Sequence, residues 1–204
     1  MSIFKVIAFD CDGVMFDTQK ANKAYYNDIL AFIGLPPMSD EQFAYAQMQT
    51  VGKSLEMLFP DPNDYARAQE YRKARGYGPY IERMEMMPGL IETLGYLKPL
   101  FYTAVATNRS DTMNSVLEIH GLESYFDKVV TALDVDNPKP APDVLRCLMA
   151  HFDIKHHEML YIGDSRVDEE AAAAAGVVFA AFENPELKAD YHISRLPEIR
   201  EIIR

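Results

Sequence analysis

Short apolar runs alternate with longer stretches of helical period along this chain. "KVIAFD", "YTAVATN", "KVVTA", "MLYIGD" and "VVFAAF" are rich in Val, Ile, Ala and aromatic residues and bounded by polar turns, which predicts buried strands. "DTMNSVLEIHGL" and "RVDEEAAAAAG" carry helical spacing, and Gly176 stands where the second helix would take its C-cap. Strands separated by helices predict an α/β fold with a Rossmann-like parallel sheet covered on both faces. Polar residues fall where the predicted strands end: Asp10, Thr107 with Asn108, and Asp164. Open parallel sheets bind ligands beyond the carboxyl ends of their strands, so these residues are expected to meet at one edge.

The alternation stops between Thr18 and Arg83. That stretch holds no strand candidate, only helical patterns broken by "GLPP", "VGKS" and "FPDPND". It resumes at "MPGLIETLGYLK". The expected organisation is a sheet core of residues 1–17 and 84–204, interrupted by a helical cap of residues 18–83 acting as a lid over the strand ends. No repeats or low-complexity stretches occur.

Composition narrows the partners. The 204 residues are 49% hydrophobic and 25% charged, enough for a sizeable core. A formal charge of -11 argues against nucleic-acid binding through a basic surface, while leaving room for a small phosphorylated ligand held by a local metal and one or two cations. Cys11 and Cys147 stand in no metal-ligand spacing, and "MSIFKVIAF" is too short an apolar run for a secretory or membrane segment. The expectation is a cytoplasmic protein with no membrane or nucleic-acid partner; oligomeric state is not legible.

The candidate chemistry begins in "AFDCDGVMFDT". In an extended segment, Asp10 and Asp12 lie on one face roughly 6–7 Å apart, with Cys11 on the other. Like charges so close require a cation between them or a retained proton. The stretch therefore reads as a metal site, an acid/base pair, or a polar turn in which Gly13 supplies a permissive dihedral. "TNRS" offers the Thr107 hydroxyl and backbone amides to an anion, or else a loop with Ser110 as N-cap of the next helix. "NPKPAPD" holds Lys139 among three prolines, either a solvated lysine or a preorganised charge. In "YIGDSRVDEEAA", Ser165 to Asp168 fits a capping box, and Asp164 at a strand end suits magnesium. Asp168 can cap the helix and also hold a metal-bound water. His151, His156 and His157 carry no catalytic signal.

These four segments, in this order, resemble the haloacid dehalogenase superfamily. The resemblance covers nearly the whole chain: "MPGLIETLGYLK", "GLESYFDKVVTALDV", "KPAPDVL" and "GDSRVDEEAAAAAG" are similar to its phosphoglycolate phosphatase-like branch, with a helical cap inserted after the first strand. It implies Asp10 as a nucleophile that becomes an aspartyl-phosphate and Asp12 as the acid that protonates the leaving oxygen and then activates water. It implies Mg2+ on the Asp10 side chain, the Asp12 carbonyl and Asp164, with Asp168 in support. Gly13, Thr107, the Asn108 amide and Lys139 would serve the phosphoryl group. An aspartate at position 12 favours phosphoryl transfer over dehalogenation. The ending "DGVMFDT" is shared with beta-phosphoglucomutase, which has Glu-Asp in place of Gly163-Asp164 and lacks the aspartate at 168. "GDSRVD" and "TNRS" thus favour hydrolysis. Lys53 in "VGKS" resembles a cap residue reaching toward substrate, or else is a solvated lysine at a helix start. The expected activity is a phosphatase acting on a small organic phosphate. The alternatives are a sugar-phosphate mutase and a non-catalytic relative that binds a phosphometabolite.

Overall fold

The computed structural model describes residues 3–47 and 51–204. The chain divides into two compact units, Met1–Asp17 with Met86–Arg204, and Thr18–Glu85.

The first unit is built on β1 (Val6–Phe9), which leads through a sharp turn into the short β2 (Phe16–Asp17). In the second unit follow α1 (Gln19–Ile33), α2 (Asp40–Gln47), α3 (Val51–Leu58) and α4 (Pro62–Arg75). The chain then passes through β3 (Glu85–Met86), α5 (Leu90–Leu97), β4 (Tyr102–Ala106), α6 (Met113–Ile119), β5 (Lys128–Val130) and α7 (Asp143–Phe152). It closes with β6 (Met159–Gly163), α8 (Arg166–Ala175), β7 (Val178–Phe182), β8 (Tyr191–Ile193) and α9 (Ile199–Ile202).

Six strands form one parallel sheet in the order β5-β4-β1-β6-β7-β8. Central β1 pairs Val6 with Tyr102 and Met159, and Phe9 with Val105 and Ile162. Every residue of β1 and β6 is buried, as a strand covered on both faces requires. One face packs on α7 and α8: Ala8, Ala104 and Ala106 keep it flat, and Leu145, Leu148 and Tyr161 fill the space. Because β1, β4 and β6 run parallel and in register, residues 10, 107 and 164 leave the sheet at the same edge.

Local differences from the sequence reading have physical causes. Strand β8 has no counterpart among the predicted runs: "YHI" is short, polar and exposed at two of its three positions, as an edge strand tolerates. Ser110 does not cap α6. That helix begins at Met113 with Thr112 before it, while the Ser110 hydroxyl donates to Asp111 at 3.1 Å. Helix α8 keeps its expected box, with Asp168 accepting from the Ser165 N–H at 3.1 Å, and ends at Gly176 with φ 71°.

Apart from Glu85, which begins β3, the regular elements of the second unit are helical among the described residues. Gly34, at φ 92°, stops α1, and Asp61 caps α4 by accepting from the N–H groups of Asn63 and Asp64, with Pro62 in the first turn. Tyr25 packs against Tyr26, Tyr77 and Tyr80, with ring centroids 5.3–5.4 Å apart. "VGKS" is not a break but the first turn of α3, whose Ser54, Leu55 and Leu58 are buried. The glycine at 52 suggests a loop, yet three buried positions on one face outweigh its modest helix penalty. Lys53 is exposed on this helix.

Candidate active site

Behind β1 the backbone turns at once. The Gly13 N–H donates to the Phe16 carbonyl and the Met15 N–H to the Cys11 carbonyl, both at 2.9 Å. This turn needs glycine twice over. Gly13 has φ +83°, and a Cβ there would lie 2.0 Å from Asp164 Oδ2. Gly13 therefore lets the β1 loop close against the carboxylate from β6. Cys11 is fully buried, and burial pushes its thiol well up, which leaves it a packing residue.

Lys139 is the centre of the site. Its side chain is 1% exposed, and its ammonium meets three acceptors: Asp10 Oδ1 at 2.9 Å, Asp168 Oδ1 at 2.6 Å and the Tyr161 hydroxyl at 2.9 Å. Burial alone would lower the lysine's pKa, but the charges of Asp10 and Asp168 outweigh it and hold the ammonium charged. The loop carrying it is pinned by Asn108, whose amide donates to the Lys139 carbonyl at 2.8 Å and accepts from the Lys139 N–H at 2.9 Å. Expected as a donor of its backbone amide, Asn108 thus spends its side chain on fixing Lys139.

Asp168 has neither oxygen idle. Oδ1 accepts from Lys139 and from the Tyr161 hydroxyl at 2.6 Å; Oδ2 accepts from the Ser165 N–H and hydroxyl. Burial pushes its pKa up, but the Lys139 charge and the hydrogen bonds it accepts outweigh this and hold it below the ordinary value. Gly163 makes room for this aspartate: a Cβ at 163 would sit 2.4 Å from the Asp168 Cβ.

The other carboxylates are in the opposite electrostatic state. Burial raises Asp10 from 3.8 to about 6, with Lys139 opposing and Asp168 reinforcing. Burial and the charges of Asp10 and Asp168 raise Asp164 from 3.8 to about 8. Oxygen atoms of Asp10, Asp164 and Asp168 all lie within 4.8 Å of one another. Asp10 Oδ1 is buried and, apart from its ion pair with Lys139, takes no well-directed hydrogen bond. A set of close, hard oxygen donors with too little positive charge beside it fits a divalent cation of the magnesium type.

Asp12 stands apart from this cluster, its side chain 39% exposed. Its partner is Arg109, with Nη2 to Oδ1 at 2.6 Å and Nε to Oδ2 at 3.2 Å. Thr107 is buried beside them and accepts from the Arg109 N–H at 3.1 Å. The geometry thus brings Asp10, Gly13, Thr107, Lys139, Asp164 and Asp168 to one edge of the sheet, with Asp12 at its more open side. Lys53 belongs to the helical unit.

Two residues here were not singled out from the sequence. Tyr161 is read as strand filling, although a hydroxyl amid the buried run "MLYIG" must find a partner somewhere. Arg109 stands in "TNRS", and a charged residue directly after a strand end at the ligand edge is the signal that marks it.

Residues 7–182 match the family described as "Haloacid dehalogenase-like hydrolase". The chain is 30% identical to the pyrophosphatase PpaX of Bacillus velezensis over 186 residues, covering 83% of this chain and 79% of that one. It is 29% identical to the phosphoglycolate phosphatase of Escherichia coli over 195 residues, covering 83% and 77%. A solved HAD-superfamily hydrolase of subfamily IA, variant 1, from Geobacter sulfurreducens superposes with a TM-score of 0.93 at 38% identity, over 100% of this chain and 98% of that chain.

Proposed function

The chain belongs to the haloacid dehalogenase-like hydrolases, and from that premise we propose that it is a magnesium-dependent phosphatase of small organic phosphate monoesters, working through an aspartyl-phosphate on Asp10. The observation that carries this reading is the pairing of a buried carboxylate, Asp10, with a buried, permanently charged Lys139 and two further carboxylates within 4.8 Å. A binding module needs neither the second carboxylate pair nor a buried lysine held by three acceptors. Relatives named as phosphatases support the same class.

The proposed roles are those the family resemblance implies, and the placement of the residues supports them. Asp10 attacks phosphorus, forming a new O–P bond as the ester O–P bond breaks, and Asp12 gives its proton to the departing alkoxide. Asp12 then takes a proton from water, whose oxygen attacks phosphorus, breaks the bond to Asp10 and releases inorganic phosphate. Lys139 and the Thr107 hydroxyl, with backbone amides near Asn108, stabilise the charge on the transferring oxygens. Asp10, the Asp12 carbonyl and Asp164 would hold Mg2+, with Asp168 in support by fixing Lys139. When bound, the cation supplies charge that offsets that of the phosphoryl group and the carboxylates. The helical unit, inserted directly behind the nucleophile strand, serves as the specificity element, and Lys53 as its candidate contact with substrate.

Gly163 favours hydrolase over mutase. The mutase pattern places Glu at 163 and no aspartate at 168, and in this backbone a side chain at 163 and the Asp168 carboxylate compete for the same space.

The test is phosphate release with magnesium across phosphoglycolate, sugar phosphates, nucleoside monophosphates and pyrophosphate, with Asp10→Asn as blank. Turnover that falls at least ~10³-fold in the variant supports the nucleophile. Full turnover by a folded Asp10→Asn protein excludes this mechanism.

A further inference from the structure

Both oxygens of Asp12 are gripped by one guanidinium, and that guanidinium is itself anchored. Arg109 reaches Asp12 with Nε and Nη2, while its Nη1 donates to the Thr112 hydroxyl at 3.0 Å. The arginine side chain is only 8% exposed, against 39% for the aspartate. This is not the loose pairing of two solvated chains, which contributes little and fixes nothing. A two-point contact locks the carboxylate plane as well as its position. Each oxygen has two lone-pair sites, so the clamp uses half of them and leaves an outer pair on each for a proton.

We propose that Arg109 is a positioning residue for proton transfer: it holds Asp12 in the orientation from which Asp12 serves the leaving oxygen and then water. The proposal rests on the phosphatase reading above, because it assigns Arg109 through the acid/base role of Asp12. The Arg109 backbone N–H donates to the Thr107 hydroxyl at 3.1 Å, a contact that does not depend on the Arg109 side chain.

The discriminating readout is dependence on the leaving group. Aryl esters such as p-nitrophenyl phosphate expel a stable anion and need little protonation, whereas glycerol 2-phosphate expels an alkoxide and needs a proton. Neither carries a second anionic group for Arg109 to bind. Values of kcat/KM report transfer onto Asp10 alone; kcat also includes hydrolysis of the intermediate, common to both esters. Arg109→Met is expected to lower kcat/KM about 100-fold for glycerol 2-phosphate and less than about 3-fold for p-nitrophenyl phosphate. Arg109→Lys, a single-point cation, is expected to recover about tenfold of that loss. Asp12→Asn should show the same bias, more strongly. Equal losses on both esters in Arg109→Met, with the bias kept in Asp12→Asn, would mean a structural role and overturn the proposal alone. Absence of the bias in Asp12→Asn overturns the acid role of Asp12 and the proposal with it.

Discussion

Two cations are paired with carboxylates at this edge of the sheet, and they are built to opposite rules. Lys139 lies wholly inside, its ammonium shared by Asp10, Asp168 and Tyr161. Arg109 holds a single carboxylate, Asp12, whose side chain remains open to solvent. On the proposed reading, the buried cluster holds the nucleophile, the cation facing it, and an aspartate fixing that cation from behind. On the same reading, the open pair contains the group that exchanges protons with a leaving alcohol and with water. Burial raises the value of each charge and the cost of losing its partner; openness gives up that value for access. The difference teaches that one cation is paired where charge is fully desolvated and the other where its carboxylate keeps contact with water, the division the proposed chemistry needs.

Removing each cation tests this comparison most severely. Lys139→Met strands two buried carboxylates, and a loss of about 3–5 kcal/mol is expected, read as a fall in melting temperature of roughly 10 °C. Arg109→Met should cost about 1 kcal/mol, because Asp12 regains water. Equal losses would mean that burial does not distinguish the pairs. Gly163→Ala sharpens the picture from the other side. Its methyl group would meet Asp168 at 2.4 Å, so about 1–3 kcal/mol of overpacking is expected, together with loss of turnover as Asp168 and then Lys139 shift. By contrast Gly95→Ala, inside α5 with nothing within 4 Å of its Cβ, should leave turnover unchanged and raise stability by about 0.5–1 kcal/mol.

A smaller effect concerns pH. Asp10 and Asp164 are held above the ordinary 3.8, at about 6 and about 8. Raised carboxylates bind more protons folded than unfolded. Their contribution to stability is fully present below about 3.8 and is lost as pH rises through about 6 and then about 8. Without metal, the difference in melting temperature between the wild type and Asp164→Asn should therefore shift by a few degrees in favour of the variant between pH 4 and pH 8. Magnesium should raise the wild-type melting temperature more at pH 8 than at pH 5, and that of Asp164→Asn much less. A difference that stays flat with pH would remove the excess of negative charge on which the metal reading stands.

The features legible in the sequence were those carried by local pattern. Runs such as "KVIAFD" and "MLYIGD" declare themselves because a strand covered on both faces has no position for a polar residue until it ends. The aspartates and Thr107 stand out for that reason, at the ends of such runs. The capping box of Ser165 and Asp168 and the stop at Gly176 were legible because capping is settled within four residues. β8 was not, since an edge strand is defined by the neighbour it joins and not by its own three residues. "VGKS" was misread because one glycine weighed more locally than the buried face that Ser54, Leu55 and Leu58 make together.

By itself, then, the order of residues determined the alternation of strand and helix and, through it, the parallel sheet at whose edge Asp10, Thr107 and Asp164 stand. Only the tertiary structure decided how the charges are divided. Nothing local tells that Lys139 takes Asp10 and Asp168 while Arg109 takes Asp12, that the Asn108 side chain serves the Lys139 backbone, or that Gly163 exists to admit Asp168. Those assignments depend on distances between segments up to 97 residues apart along the chain. Pairing of charges depends on distance and burial in space, which periodicity along a chain does not encode.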